Sequence, residues 1–150
     1  MGFFVMSRIH FIVPIEPFGK ARPRFSNACG HAIAYTPAKT KRGEQLIKTC
    51  ARQAMGDRYP FERHIPLSVE IVANFSIPKS YTKKRHLDCV NNDELPTKKP
   101  DIDNIVKAVL DSMNDAVFWD DCQIVKLNVR KQYVEGDGFL EITCTTLKDD

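Results

Sequence analysis

Apolar positions recur along the chain with two different spacings, which predict a mixture of strands and helices. Residues 8–15 alternate moderately between apolar and polar and are rich in Ile, Phe and Val, which predicts a first strand ended by Pro14 and Pro17. Residues 31–35 predict a short strand paired with its neighbour. Residues 67–77 are apolar at alternate positions between two prolines, which predicts a strand at the centre of a sheet.

The C-terminal part of the chain carries two further strand patterns. Residues 122–133 and 139–147 are rich in β-branched side chains. Between them lies Gly136-Asp137-Gly138, a turn signal that predicts a β-hairpin between the two strands.

Two segments repeat apolar residues at helical spacing. The first follows Thr36 and Pro37, which predict the N-cap and the first helical position, and Gly56 ends it. The second follows Pro100, and Asp101 is its expected N-cap. The apolar stripes are Leu46, Ile47, Cys50, Ala51, Ala54 and Met55 in the first helix, and Ile102, Ile105, Val106, Val109, Leu110 and Met113 in the second.

Together these elements predict a single α+β domain over residues 1–150, with a mixed β-sheet of about five strands packed with two main helices. The chain has 150 residues, 43% of them hydrophobic, which supply a core large enough for one domain to fold alone. No run reaches the ~20 apolar residues of a membrane span, and the N-terminal apolar run lacks the flanks of a signal peptide. We therefore expect no membrane partner and a cytoplasmic location.

The positions of the charged residues are more informative about binding partners than the net charge is. The net charge is only +3 at pH 7, and any single basic cluster is more often a solvated surface than a binding site. The basic clusters are Lys20, Arg22 and Arg24; Lys39, Lys41 and Arg42; Lys79, Lys83, Lys84 and Arg85; Lys98 and Lys99; and Arg130 and Lys131. The five cysteines form no Cys-x-x-Cys pair and the four histidines lack zinc-binding spacing, so we expect reduced thiols and no zinc.

Acidic residues are concentrated around the second helix. Asp103, Lys107 and Asp111 repeat every fourth residue, on a face separate from the apolar stripe. Taken alone, Asp101 and Asp103 at the start of the helix would simply complement its dipole, at ~0.3 to 1 kcal/mol each.

A second acidic pair makes a metal site the better interpretation. Asp120 and Asp121 come just before the predicted strand 122–133, and a strand returning beside the helix would bring them near Asp101 and Asp103. Four clustered carboxylates repel one another unless a cation neutralises them. Hard oxygen ligands of this kind suit Mg²⁺ or Mn²⁺, which also bind substrate phosphates.

These residues resemble the RusA-like Holliday-junction resolvases, many of which are encoded by phages and prophages. The matching stretches are Asp101-Ile102-Asp103-Asn104 with Lys107 and Asp111, and then Phe118-Trp119-Asp120-Asp121-Cys122-Gln123-Ile124. Upstream, residues 20–24 and 79–99 match the family more weakly. The resemblance extends in order over most of the chain.

The resemblance implies a role for each matching position. It implies catalytic, metal-binding carboxylates at Asp101, Asp103 and Asp121, with Asp120 as a further candidate metal ligand. It also implies that Lys107 is a catalytic or phosphate-contacting cation. The cofactor would be Mg²⁺, with Mn²⁺ as a substitute, and the assembly a homodimer. The candidate DNA contacts are Lys20, Arg22, Arg24, Lys83, Lys84, Arg85, Lys98, Lys99 and Asn104.

We therefore expect a Mg²⁺-dependent endodeoxyribonuclease that resolves four-way DNA by paired, symmetric phosphodiester hydrolysis during recombination and repair. Basic clusters that flank an acidic centre fit this expectation, because such an enzyme contacts phosphates as well as cations. The long polar segment 79–99 is expected to be a mobile basic arm that orders on DNA, rather than a plain disordered insertion. Two alternatives remain: a metal-dependent nuclease for other branched or single-stranded nucleic acid, and a non-catalytic DNA-binding protein.

Overall fold

The N-terminal strand shows how the alternating pattern is used. In β1 (Arg8–Val13), every second residue is buried, and Ile9, Phe11 and Val13 lie on the core side of a sheet. The computed structural model describes residues 7–21, 24–26, 30, 33–35 and 37–147, with the backbone alone at 24–26 and 33–35. The strand ends before Pro14, as predicted.

Four strands form the main sheet, in the order β1-β6-β4-β5. β4 (Leu67–Ser76) lies inside it, parallel to β5 (Ile124–Val134) and antiparallel to β6 (Phe139–Thr146). The mixed sheet is therefore confirmed, with four strands rather than about five. A separate two-stranded ribbon pairs β2 (Arg24–Ser26) with β3 (Ile33–Tyr35).

The predicted hairpin between the last two strands is wrong. Gly136 does have a left-handed φ of 79°, as a turn requires, but β5 and β6 lie on opposite sides of β4. β4 is buried along most of its length and has a partner strand on each side. The turn signal is local, whereas strand order depends on which distant strand covers each edge of β4.

In the part of the chain that the structure describes, three α-helices accompany the sheet. α1 (Ala38–Met55) begins after Pro37 as its N-cap and ends at Gly56, while α3 (Ile102–Met113) begins after Asp101 as its N-cap. The N-cap of α3 and the end of α1 are as predicted, whereas α1 starts one residue later than expected. α1 packs against α3 and against β1.

The segment 79–99 contains a third, shorter helix. α2 (Lys83–Val90) is capped by the Thr82 hydroxyl, which accepts a hydrogen bond from the Arg85 N–H at 3.2 Å. α2 packs near β5, and movement of the segment on DNA stays a prediction.

The core lies between one face of the sheet and the helices. Val69 and Ile71 of β4 share it with Leu140 and Ile142 of β6, and Ile47 of α1 is also fully buried. Among the described helices, none combines the length and apolarity needed to cross a membrane. The opposite sheet face is more polar, and there a carboxylate oxygen of Glu141 lies 2.9 Å from a His10 ring nitrogen.

Candidate active site

Helix α3 carries a buried stripe and a charged stripe, as its sequence predicts. Ile105, Val109 and Met113 are fully buried, which fixes the rotation of the helix. Asp103 and Lys107 are therefore exposed on another face, one helical turn apart. Packing of the apolar side of α3 thus presents its charged residues at the surface.

The acidic pair after α3 lies on a single 3₁₀ turn, Asp121–Gln123. Asp120 is the N-cap of this turn, and its carboxylate accepts a hydrogen bond from the Cys122 N–H at 3.0 Å. That backbone hydrogen bond is the main reason why the pKa of Asp120 is lowered. Asp120 therefore has a clear structural role beside Asp121.

Gln123 anchors this turn to the rest of the protein. Its side chain is buried, and its amide oxygen accepts hydrogen bonds from the N–H groups of Trp119 and Asp120, each at 3.1 Å. Its amide nitrogen donates to three carbonyl oxygens of the loop before β4: Phe61 at 3.3 Å, Glu62 at 2.7 Å and Ile65 at 3.3 Å. Five backbone contacts therefore hold the segment that carries Asp121.

The turn brings Asp121 close to the charged face of α3. The pKa of Asp121 is raised, first by partial burial and then by Asp120 and Asp111, while Lys107 acts in the opposite direction. Asp121, Asp111 and Lys107 thus form one electrostatic group across two elements. The sequence pattern predicted that Asp121 would approach Asp101 and Asp103, and that approach stays a prediction.

Asp101 is exposed at the start of α3. Together with Asn104 it lines an open cavity beside the loop that follows β1. Over the ranges that the structure describes, no three His, Cys, Asp or Glu side chains are grouped closely enough to hold one metal ion. Binding of a metal by Asp101, Asp103, Asp120 and Asp121 therefore stays a prediction.

Lys20 connects three elements next to the acidic face. Its ammonium group donates to Glu44 of α1 at 2.6 Å and lies 3.5 Å from Asp111 of α3. Burial lowers the pKa of Lys20, but the hydrogen bond and charge of Glu44, together with Asp111, outweigh burial and raise the net pKa. Lys20 therefore stays charged, with its charge already balanced by two carboxylates.

The loop that carries Lys20 lies directly on the start of α3. The Lys20 N–H donates to the Asn104 carbonyl oxygen at 2.9 Å. A Cβ atom added at Gly19 would lie only 2.9 Å from Asn104 Cβ and 3.0 Å from Pro100 Cβ. Glycine is therefore required by a close approach between this loop and α3.

Comparison with known proteins identifies the family. The sequence model of the endodeoxyribonuclease RusA family matches residues 14–145, which is most of the chain. The chain belongs to the RusA endodeoxyribonuclease family. The family and the class of enzyme expected from the Asp-x-Asp-Asn and Asp-Asp-x-Gln runs are therefore confirmed.

Individual relatives support the same assignment over different lengths. The uncharacterized protein YqaN of Bacillus subtilis (strain 168) is 35% identical over 132 residues, which cover 87% of this chain and 91% of the relative. The crossover junction endodeoxyribonucleases RusA of Escherichia coli (strain K12) and of Enterobacteria phage 82 are each 39% identical over 54 residues. Those 54 residues are 35% of this chain and 45% of either relative.

The expected DNA contacts of this RusA-family chain fall into different environments. Arg22 and the Arg24 side chain lie outside the described residues. Lys83 and Lys84 are exposed at the start of α2. Arg85 lies 3.7 Å above the Tyr81 ring and binds the Glu94 carboxylate at 2.8 Å and 3.2 Å.

The remaining candidates lie near the start of α3. Lys98 has its ammonium group 5.8 Å from the centre of the Tyr133 ring. Lys99 and Asn104 line the same open cavity as Asp101. Lys20 lines it as well, so three of the expected DNA contacts share this cavity with an expected metal ligand.

Two positioning residues were missed by sequence reasoning in this RusA-family chain. Lys131 of β5 donates to the carbonyl oxygens of Lys98 at 2.6 Å and Pro100 at 3.0 Å, so it holds the backbone that leads into α3. No pattern in the sequence around Lys131 predicts these two hydrogen bonds. Gln123 could have been found, because Asp120 followed three residues later by Gln123 has the form of a capping box.

Proposed function

We propose that this chain is a divalent-metal-dependent crossover junction endodeoxyribonuclease that resolves four-way DNA by hydrolysing phosphodiesters. The supporting observation is the acidic and basic group at α3, where Asp121 lies beside Asp111 and Lys107, in a chain whose family match spans residues 14–145. The named RusA relatives are crossover junction endodeoxyribonucleases, and they align over the stated 54 residues. The four-way substrate is taken from those relatives.

The proposed metal ligands are Asp101, Asp103 and Asp121, with Asp120 as a further candidate. The type of donor fits, since carboxylate oxygens are the ligands that Mg²⁺ and Mn²⁺ prefer. The raised pKa of Asp121 also fits, because it results in part from carboxylate neighbours whose charge a cation would neutralise. When bound, such an ion supplies charge stabilisation and an activated water in phosphodiester hydrolysis.

Lys107 has a separate proposed role. It is exposed on the charged face of α3, and its positive charge acts on Asp121 from one helical turn beyond Asp103. A cation at this position can stabilise the negative charge that builds up on the phosphoryl oxygens in the transition state. We expect Lys107→Ala to reduce the rate of cleavage more than the affinity for DNA.

Two symmetric incisions in a four-way junction require two active sites related by a two-fold axis. We therefore propose a homodimer as the active assembly. We also propose a cytoplasmic location in a bacterial cell, whether the gene is the host's or a phage's, because the substrate is intracellular DNA.

The decisive experiment combines substrate and metal. Purified protein is incubated with a labelled four-way junction, a flap, a matched duplex and a single strand, with and without Mg²⁺, and the cuts are mapped. We expect paired cuts in the junction only when Mg²⁺ is present. Equal cleavage of the flap or single strand would favour a broader nuclease, and junction binding without any metal-dependent cut would favour a non-catalytic DNA-binding protein.

A pair of amide variants tests the carboxylates within the same assay. Asp103→Asn should abolish cleavage while junction binding is largely kept, because it removes a metal ligand and no phosphate contact. Asp115→Asn is the matched control, since Asp115 is exposed just after α3 and Asn tolerates its left-handed φ of 67°. Cleavage by Asp103→Asn at the rate of the control would remove Asp103 from the site.

A further inference from the structure

Trp119 is a large aromatic side chain that is exposed beside the acidic turn. Its neighbour Phe118 is fully buried in the core, whereas Trp119 is 37% exposed. Asp120, the N-cap of the turn, follows Trp119 directly, and Asp121 comes next. Two residues of chain span at most about 7 Å, so the backbone of Trp119 lies close to that of a proposed metal ligand.

The backbone that carries Trp119 is held on both sides. Its N–H donates to the amide oxygen of the buried Gln123 at 3.1 Å. Phe118, the residue before it, forms β-bridges with Asn114 and with Phe61. The aromatic ring is therefore presented from an ordered main chain, and little backbone freedom is lost when the ring contacts a ligand.

The surroundings of Trp119 are charged. Glu62 and Arg63, on the loop bridged to this segment, are exposed, as are Asp120 and Asp121. After the backbone hydrogen bond described above, the charge of Arg63 also helps to lower the pKa of Asp120, so this cation is near the turn. Because the buried cores of protein interfaces are depleted in charged residues, this setting favours a polar partner that has an aromatic surface of its own.

A nucleotide base has these properties. Its faces stack on an aromatic ring whatever the identity of the base, while its edges are polar and the attached phosphates are charged. Lys107 and Arg63 both act on the carboxylates of the turn, so cations for adjoining phosphates are present. A base inside a duplex is already stacked, whereas an unpaired or partly unstacked base costs the least to bring onto a protein ring.

We infer that Trp119 stacks on a base of the DNA substrate beside the phosphate that is cleaved, and that it selects bases exposed where the strands exchange. This contact positions the scissile phosphate at the carboxylates and contributes to the preference for branched DNA over duplex. The identity of the ligand as the substrate rests on the proposed function. The exposed ring and its fixed backbone do not, because they are features of the structure alone.

The first experiment uses the fact that Trp119 is the only tryptophan in the sequence. A four-way junction or a matched duplex is titrated into the full chain without Mg²⁺, while tryptophan fluorescence and a gel shift are recorded in parallel. We expect the junction to quench the emission saturably, at the concentrations at which it binds, and bound duplex to quench it much less. Unchanged emission with bound junction would overturn the stacking contact, and equal quenching by bound duplex would overturn the selection of branched DNA.

The second experiment compares substitutions at this position. Trp119→Leu should weaken junction binding about fivefold to 100-fold, while duplex binding changes by less than about twofold. Trp119→Phe keeps an aromatic face and should regain most of the affinity that Trp119→Leu loses. Tyr59→Leu is the matched control, because Tyr59 is an aromatic residue that is 84% exposed but lies outside the acidic turn. Equal losses on junction and duplex, or no gain from Phe, would overturn the role in selecting junctions.

A contact between two copies of the chain is the competing explanation for an exposed tryptophan. We expect Trp119→Leu to sediment as wild type does, because its backbone bond to Gln123 is kept and its ring faces DNA. A shift of the variant to a smaller species would place Trp119 in an interface between copies and overturn the inference. The fluorescence titration uses the wild-type chain, so it decides the question even if Trp119→Leu is less stable.

The results separate the possible failures. If the junction quenches the Trp119 emission but is never cut with Mg²⁺, the proposed function fails and the base contact stands. If the junction is cut normally but neither the emission nor the affinity of Trp119→Leu changes, the proposed function stands and the inference fails. If wild type binds no junction, with or without Mg²⁺, both fail.

Discussion

Replacement of Gln123 by Met tests whether its amide anchors the acidic turn. Met has a similar volume but can neither accept from the Trp119 and Asp120 N–H groups nor donate to the three loop carbonyls. A net hydrogen bond contributes about 0.5–1.5 kcal/mol, and a buried group left unpaired costs about 1–3 kcal/mol. Gln123 is only 5% exposed, but the turn beside it is open to water, so we expect a loss of about 2–4 kcal/mol.

The loss can be measured as a shift in thermal unfolding. For a chain of 150 residues, 1 kcal/mol corresponds to about 2–4 °C in Tm, so the Met variant should unfold roughly 4–16 °C below wild type. Gln53→Met is the matched control, because Gln53 is exposed on α1 and should shift Tm by less than about 2 °C. Equal Tm values for the two variants would refute the anchoring role.

Three further predictions concern positions around the site. Lys131→Met should lower stability by about 1–2 kcal/mol in urea unfolding, because two backbone carbonyls before α3 lose their donor; an unchanged midpoint would contradict this. Gly19→Ala should cost about 1–3 kcal/mol in the same assay, since its Cβ would meet α3 and the preceding proline at about 3 Å. Iodoacetamide at pH 8 should modify exposed Cys122 before Cys89 and Cys144, as mapped by mass spectrometry, because burial protects both and raises the Cys144 pKa to about 12. Faster labelling of Cys144 would contradict its burial.

The elements of this protein were predictable where the signal was local. β4 and α3 each carry a strong period of their own, and burial of the apolar face in the structure follows that period. The Asp101 cap was predictable too, because Pro100 limits the backbone before it. These predictions needed no knowledge of any distant contact.

The strand order and the basic contacts were not predictable in this way. The glycines between β5 and β6 indicate a turn, but the pairing of β6 with β1 and β4 depends on residues more than sixty positions away. Likewise, Lys20 was expected to contact DNA because it lies in a basic run. Its pairing with Glu44 and Asp111 arises only when the loop, α1 and α3 come together.

The candidate site likewise has some features that the sequence predicts and others that depend on distant contacts. The types of residue at Asp101, Asp103, Lys107 and Asp121 were readable as a motif, and the structure places Asp121 in the electrostatic neighbourhood of Lys107. The spacing of Asp120 and Gln123 has the form of a capping box, but the anchoring role of Gln123 was not predicted from it. The cavity that includes Lys39 and Thr40 depends on three separate elements, so no stretch of sequence indicates it.

The pairing of β1 with β6 has a consequence for how the chain acquires its structure during synthesis. Arg8 is registered opposite Thr145, and the Ser7 N–H donates to the Thr146 hydroxyl at 2.8 Å. A nascent chain that has not yet emerged from the ribosome beyond residue 138 has neither the partner of β1 nor the antiparallel partner of β4. The sheet can therefore be completed only after β6 has emerged, and until then β1 and β4 each lack this partner strand.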